Sequence, residues 1–160
     1  MRDANLKWLW TCMLALAAAI TVAQGAPPPA TWHTRLGDAQ KAAQESGRPI
    51  LAFFTDSAQC PWCVKLKKDV LDSPEFREWA ARHVVLLEVD FPTGKPQEPA
   101  IKEQNAALKE KFGVRSYPVV IFMAADQKEI GRIPGYPKPA KSPEEARETW
   151  LKQAQSIVSR

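Results

Sequence analysis

Residues 49–54, Pro-Ile-Leu-Ala-Phe-Phe, lead through a short polar loop into Cys60-Pro61-Trp62-Cys63, and this stretch decides the fold. The apolar run has the length and composition of a strand buried on both faces, which we place at Ile50 to Thr55. Two residues separate the cysteines, so a helix that begins near Pro61 would set them one turn apart. The stretch predicts a buried strand, a loop and a helix that starts beside a thiol pair.

The spacing of the two cysteines favours redox chemistry. Cys60 would stand at the helix N-terminus, where unpaired backbone N–H groups and the helix dipole stabilise a thiolate. Pro61 suits the first helical turn, because the N–H that it lacks would have no partner there. Cys63 would hold its sulfur deeper. We therefore predict Cys60 as the attacking thiol and Cys63 as the thiol that resolves a mixed disulfide.

A structural role for the pair is the alternative. A disulfide across four residues closes a very small loop and removes little entropy from the unfolded chain, so it would stabilise the fold weakly. A structural zinc site takes four ligands. After the N-terminal segment the chain adds only His33 and His83 to the two cysteines, and neither histidine has ligand spacing to a partner. We predict no metal and no cofactor.

The N-terminal segment is typical of an export signal. Arg2 and Lys7 precede an uncharged, mostly apolar run from Trp8 to Val22, and Ala23-Gln24-Gly25 offers small residues to a signal peptidase. The strongly apolar part is shorter than the ~20 residues of a spanning helix. We predict a cleaved signal peptide over residues 1–25, with an uncleaved membrane anchor as the alternative.

Cleavage would leave a proline-rich leader, residues 26–31, and one domain, residues 32–160. The exported protein would sit in the periplasm and keep two cysteines, Cys60 and Cys63. The chain of 160 residues has a formal charge of +4 at pH 7. This charge is too small and too scattered for a nucleic-acid footprint, so we expect no nucleic-acid partner, while an acidic partner protein stays open.

The rest of the chain alternates helical and strand patterns. Ser73-Pro74-Glu75 and Ser142-Pro143-Glu144 are both typical of helix starts. We predict helices at Leu36 to Ser46, Pro61 to Leu71, from Ser73, at Ala100 to Phe112 and from Ser142, and further strands at Val84 to Val89, Val119 to Met123 and Glu129 to Ile133. Early alternation and a late hairpin predict an α/β fold with a central mixed sheet of four strands, or five, and helices on both faces.

Three further features occur in the order of a known family. Val89-Asp90 ends the second strand, Tyr117-Pro118 precedes the third, and Gly135 follows the hairpin. Together with Cys60-Pro61-Trp62-Cys63, they resemble the thioredoxin superfamily over residues 32–158. The resemblance implies a thioredoxin-like fold.

One branch of that superfamily is the most similar. The segments that carry this likeness are Gly47 to Ile50, the loop into Cys60, Ser73 to Phe76, and Val89 to Pro92. They are similar to exported disulfide reductases of the DsbH type and to the C-terminal domain of the transporter DsbD. The resemblance implies disulfide-containing protein substrates and a membrane reductant transporter of the DsbD type as electron donor.

The resemblance also implies residues that position a substrate. A cis-proline at Pro118 would bring the backbone of Tyr117 beside the sulfurs, where it can pair with a substrate strand. Trp62, forced near the surface between two active-site cysteines, would help to dock the substrate.

The sequence departs from cytosolic thioredoxins at the buried proton relay. The buried acid and its lysine partner correspond here to Phe53 and Leu86, so the relay cannot work in the same way. Asp56 and Glu88 lie nearby in sequence and could take the place of the acid, or their side chains could simply face water.

These features predict an exported thiol–disulfide oxidoreductase, an enzyme that reduces protein disulfides through a redox-active disulfide. No histidine lies between the cysteines. This argues against the most oxidising members of the family and favours a reduction potential toward the thioredoxin value of about −270 mV. The chain has no dimerisation segment, so we expect a monomer. The alternatives are an oxidase or isomerase in the same compartment, and a chaperone or maturation module that holds a thiol without turnover.

Overall fold

The computed structural model describes residues 29–159. The predicted signal peptide and the first half of the proline-rich leader lie outside the described residues. The helices are α1 Leu36–Ser46, α2 Pro61–Leu66 with a π-helical continuation Lys67–Leu71, α3 Pro74–His83, α4 Pro99–Lys111 and α5 Pro143–Val158, and the strands are β1 Trp32–His33, β2 Ile50–Thr55, β3 Val85–Asp90, β4 Val119–Met123 and β5 Glu129–Pro134. No helix within this range is long and apolar enough to span a bilayer.

Within the described range the strands form a single mixed sheet in the order β1-β3-β2-β4-β5. The central strand β2 runs parallel to β3 and antiparallel to β4. All six residues of β2 are buried, as its continuous apolar sequence predicts. The predicted α/β fold with a mixed sheet is therefore confirmed, and the fifth strand is the two-residue β1 at Trp32–His33.

Alternate residues of β2 pack on opposite faces of the sheet, because side chains alternate along a strand. Leu51 and Phe53 join a core that also includes Phe76 and Trp150. Ile50, Ala52 and Phe54 join the other core, which contains Phe112. A strand with both faces covered must be apolar at every position, and this explains why β2 lacks the alternation of a surface strand.

The helix starts follow the predicted capping. The hydroxyl oxygen of Ser73 accepts a hydrogen bond from the N–H of Phe76 at 3.2 Å, and that of Ser142 accepts one from Glu145 at the same distance. The strand predicted from Val84 begins one residue later, because the N–H of Val84 is bonded to the carbonyl of Ala80 at the end of α3. The predicted helix Pro61 to Leu71 is continuous, but its second half has π-helical geometry.

Trp150 lies in the core between α3, α5 and the sheet, and substitutions of this residue test how that core is packed. It is fully buried against Phe76 and Trp79, and its indole N–H has no hydrogen-bond partner among residues 29–159. We expect Trp150→Ala to lower the free energy of unfolding by about 3–5 kcal/mol, because it opens a large cavity. Trp150→Phe should cost clearly less, because the phenyl ring leaves a smaller cavity and the indole N–H has no hydrogen bond to lose.

Denaturant unfolding of both variants checks this expectation, with the exposed Glu148→Ala as control. Equal losses for Trp150→Ala and Trp150→Phe would contradict the size of the cavity as the source of the loss.

Candidate active site

The cysteine pair lies where β2 ends and α2 begins. Cys60 and Cys63 form a disulfide with an S–S distance of 2.10 Å. Cys60 is half-buried, whereas Cys63 is only 2% exposed. The two cysteines are therefore unequally buried, and Cys60 is the more exposed of the pair.

The sulfur of Cys60 takes the place of an N-cap side chain. Cys60 has extended backbone geometry ahead of Pro61, which is the first helical residue. Its sulfur accepts a hydrogen bond from the N–H of Cys63 at 3.1 Å, and its carbonyl accepts one from the N–H of Val64, also at 3.1 Å. When the disulfide is reduced, the same N–H and the helix dipole stabilise negative charge on the Cys60 sulfur.

Asp56 holds the loop between β2 and Cys60 in place. Its carboxylate accepts hydrogen bonds from the backbone N–H groups of Ala58 and Gln59 at 2.9 and 3.1 Å. It also accepts one from the hydroxyl of Thr93 at 2.6 Å. The Thr93 hydroxyl, outweighing burial, and the backbone N–H groups together hold the pKa of Asp56 below its ordinary value. Asp56 is therefore an ionised brace of the loop, with its oxygens already occupied.

Asp90 ties the same loop to the end of β3. Its carboxylate accepts hydrogen bonds from the N–H and the hydroxyl of Ser57 at 2.8 and 2.6 Å. Its carbonyl accepts one from the side-chain amide of Asn105 at 2.8 Å, which links the loop to α4. Asp90 thus caps the neighbouring loop, in line with a structural role.

The positions of the thioredoxin relay are apolar here. Phe53 and Leu86 are 1% and 2% exposed. The residue paired with Phe53 across the sheet is Glu88, whose carboxylate binds the ammonium of Lys67 at 2.9 Å. Burial is the largest single effect and lowers the pKa of Lys67, but the hydrogen bond to Glu88 and the nearby negative charges of Glu88, Asp72 and Asp90 together raise it above its ordinary value. Glu88 is therefore ion-paired.

A small cavity of about 190 Å³ joins this ion pair to the buried cysteine. It is lined by Cys63 together with Lys67, Glu88 and, at its edges, Lys68 and Asp72. The cavity that reaches the buried Cys63 is thus lined by two acids and two lysines, and one acid, Glu88, is ion-paired with Lys67.

Trp62 stands on the surface beside the disulfide. Its side chain is 46% exposed, too much for a core residue. The ring of Tyr136 lies 5.7 Å away, and the ammonium of Lys138 lies 4.0 Å from the centre of the indole. Trp62 therefore has the surface position that the sequence predicts. The loop of residues 135–141 packs beside it through Tyr136 and Lys138.

The hydroxyl of Tyr136 anchors that loop to the active-site helix. It donates a hydrogen bond to Asp69 at 2.8 Å, and Asp69 is also paired with Lys65 at 2.6 Å. Burial and the hydrogen bond to Asp69 raise the pKa of Tyr136, so the hydroxyl stays protonated and keeps donating. This network was not predicted from the sequence, although the four-residue spacing of Lys65 and Asp69 is a signal for an ion pair on a helix.

Tyr117 and Pro118 lie at the same end of the sheet as the cysteines. Val119 pairs with Phe54, so the residues before β4 stand beside the residues that follow β2. The peptide bond between Tyr117 and Pro118 is cis. The carbonyl of Pro118 accepts a hydrogen bond from the N–H of Gly135 at 2.8 Å. Gly135, singled out in the sequence, has a φ of +68°, which a residue without a side chain adopts without strain.

The side chain of Tyr117 packs against the core, so it does not form part of a docking surface. Its ring stacks on Phe91 at 5.3 Å, and its hydroxyl is buried with no partner among the described residues. Within the same range, neither its N–H nor its carbonyl makes a hydrogen bond. The backbone of Tyr117 is thus free for an incoming strand, while its ring belongs to the core.

The comparison with known families agrees with this geometry. The thioredoxin-like domain family matches residues 36–150, which include the cysteine pair, Pro118 and the whole sheet from β2 to β5. The chain belongs to the thioredoxin-like family. The resemblance seen in the sequence is confirmed.

Individual relatives in this family carry redox names. The chain is 33% identical over 96 residues to the disulfide bond reductase DsbH of Chlamydia pneumoniae, a match that covers 60% of this chain and 58% of that protein. It is 35% identical over 102 residues to the thioredoxin-related protein DsbJ of the same organism, covering 64% of this chain and 29% of DsbJ. The chain thus spans less than two thirds of either relative.

A solved structure supports the likeness in three dimensions. The chain superposes on a DsbH oxidoreductase with a TM-score of 0.72 and 27% sequence identity, over 84% of this chain and 88% of that one. The similarity therefore extends over nearly the whole described domain.

The charge on Asp56 gives a test of the loop. The folded pKa lies below its ordinary value of 3.8, so the ionised carboxylate stabilises the fold above that pH. This contribution is lost as the pH falls through the folded pKa. We expect the stability advantage of the wild type over Asp56→Asn to be constant near neutral pH and to shrink as the pH drops below 3.8.

Urea unfolding of both proteins from about pH 6 to about pH 2 measures the advantage. Glu103→Gln, at an exposed site on α4, is the control for charge removal. An advantage of the wild type over Asp56→Asn that stays the same down to the lowest pH would show that the charge of Asp56 does not brace the loop.

Proposed function

We propose that this protein is a thiol–disulfide oxidoreductase that reduces protein disulfides with Cys60 as its nucleophile. The observation that carries the proposal is the partly exposed Cys60, whose sulfur accepts a hydrogen bond from the N–H of Cys63 at the start of α2, while Cys63 itself is buried. The names of the relatives DsbH and DsbJ support the same chemistry.

The reaction follows from the unequal positions of the two sulfurs. In the reduced protein, the Cys60 thiolate attacks one sulfur of a substrate disulfide, and the other substrate sulfur leaves as a thiolate that takes a proton. The Cys63 thiol then loses its proton and attacks Cys60, which releases the second substrate thiol. Two electrons and two protons pass to the substrate, and the protein is left with the Cys60–Cys63 disulfide.

The substrate would be held beside Cys60 by backbone pairing and by an aromatic surface. The free N–H and carbonyl of Tyr117, just before β4, suit pairing with the backbone of an extended substrate segment. Pro118 itself has no backbone N–H to donate. Trp62, half-exposed next to Cys60, offers apolar contact. In this proposal Pro118 and Tyr117 position the substrate strand, and Trp62 docks its side chains.

The direction of the reaction is reduction. Pro61 and Trp62 place no positive charge between the cysteines, so the Cys60 thiolate lacks the extra stabilisation that makes a strong oxidant. Reduction consumes the dithiol, and a reductant must restore it. We propose that the protein works in the periplasm after export and that a membrane reductant transporter of the DsbD type is that donor.

Replacement of each cysteine separates their roles. Cys63→Ser should attack a substrate disulfide and stop at the mixed disulfide, because no second thiol is present to resolve it. Cys60→Ser should form no such adduct and should lose turnover by at least about a thousandfold, because the remaining sulfur is buried.

Insulin reduction with dithiothreitol as the electron source measures turnover, and non-reducing electrophoresis with mass spectrometry detects the adduct. Absence of turnover in the wild type would overturn the proposed activity. An adduct on Cys63 in the Cys60→Ser variant would reverse the assigned roles.

A further inference from the structure

Positive charge is concentrated in the two segments that meet beside the disulfide. Residues 61–71 contain three lysines and Asp69, and residues 135–141 contain two lysines. These five lysines and one aspartate give a formal charge of +4, which equals the formal charge of the whole chain at pH 7. These two segments therefore carry a net positive formal charge, while Asp72 and Glu88 line the neighbouring cavity beside Cys63.

Four residues of these segments form one continuous surface, which we call the cationic rim: Trp62, Lys65, Tyr136 and Lys138. Lys138 lies 4.0 Å from the centre of the Trp62 ring, and Lys65 lies 4.9 Å from the centre of the Tyr136 ring. The two rings are 5.7 Å apart. Cation–π contacts thus hold both ammonium groups on an aromatic base beside the cysteines.

The rim presents its positive charges outward. The side chain of Lys65 is 45% exposed, whereas that of its partner Asp69 is 7% exposed. Lys138 is exposed and makes no ion pair among residues 29–159. Asp69, the acid of this network, lies beneath the surface, whereas both lysines are exposed.

The same region exposes apolar surface. The large hydrophobic side chains exposed within the described part of the chain are Trp62, Val64 and Ile130, and two of them belong to α2. An exposed aromatic surface bordered by unpaired charge is typical of an interaction site. The hydrogen bond from Tyr136 to Asp69 fixes the position of the loop that carries Lys138, so the surface is built before a partner arrives.

We propose that the cationic rim selects substrate polypeptides that carry acidic residues next to the disulfide to be reduced. This inference rests on the proposed function and adds its substrate class. The carboxylates of such a segment would face Lys138 and Lys65, while an apolar neighbour would lie on Trp62. Complementary charge chiefly raises the rate of productive encounter, and this effect weakens as salt is added.

Three peptides test the proposal with the full domain reduced by dithiothreitol. Each has the same intramolecular disulfide, flanked by glutamates, serines or lysines. At low ionic strength we expect the acidic peptide to be reduced about tenfold faster than the basic one. The ratio of the two rates should approach one in about 1 M salt. Because both rates depend equally on the nucleophilicity of Cys60, a change in that nucleophilicity leaves their ratio unaltered.

Two variants locate the effect. Lys138→Glu should remove most of the preference for the acidic peptide. Lys128→Glu changes the net charge equally but lies in the turn between β4 and β5, at the opposite end of the sheet, and it should keep the preference. Equal rates for acidic and basic peptides, or an equal loss of preference in both variants, would overturn the proposal. Failure to reduce even the serine peptide would instead overturn the proposed function.

Discussion

The hydrogen bond from the backbone N–H of Cys63 to the sulfur of Cys60 gives the two thiols different chemistry. It forms because Cys60 stands at the N-cap of α2, after a short loop that follows the buried strand β2. Two acids on neighbouring strand ends, Asp56 and Asp90, hold the short loop between these elements through its backbone and through Ser57. The reactive sulfur is thus placed by main-chain geometry, and the surrounding side chains secure that geometry.

Most charged groups around the site have a hydrogen-bonding or ion-pair partner, whereas Lys138 has none among the described residues. Asp56, Asp90, Glu88 and Asp69 all have partners, and each partner set fixes a segment of backbone or a helix position. Lys138 is different, because its contact is the face of Trp62. The acids of the site therefore maintain structure, while the exposed cation is available to a partner. In this account the motif supplies the chemistry and the loop 135–141 supplies selectivity.

The sequence predicted the fold and the cysteine site because local signals were strong and agreed with one another. The continuous apolar run of β2, the caps Ser73 and Ser142, and the spacing of Cys60 and Cys63 each depend on short-range physics. The π-helical turn at Lys67–Leu71 and the contacts of Tyr136 with Asp69 and Trp62 were not predicted. They join residues far apart in sequence or depend on how a helix packs, and no local pattern encodes such contacts. Asp56 and Glu88 were recognised as candidates, but their actual partners, Thr93 and Lys67, became visible only in three dimensions.

The equilibrium reduction potential of the Cys60–Cys63 couple tests the central claim most directly. The protein is equilibrated with defined ratios of reduced and oxidised dithiothreitol or glutathione, and the fraction of dithiol is measured after acid quenching. With no histidine between the cysteines, the Cys60 thiolate lacks the extra stabilisation that favours the dithiol form, and this predicts a potential toward the thioredoxin value of about −270 mV. A potential above about −180 mV, in the range of isomerases and oxidases, would contradict the account of this protein as a reductase.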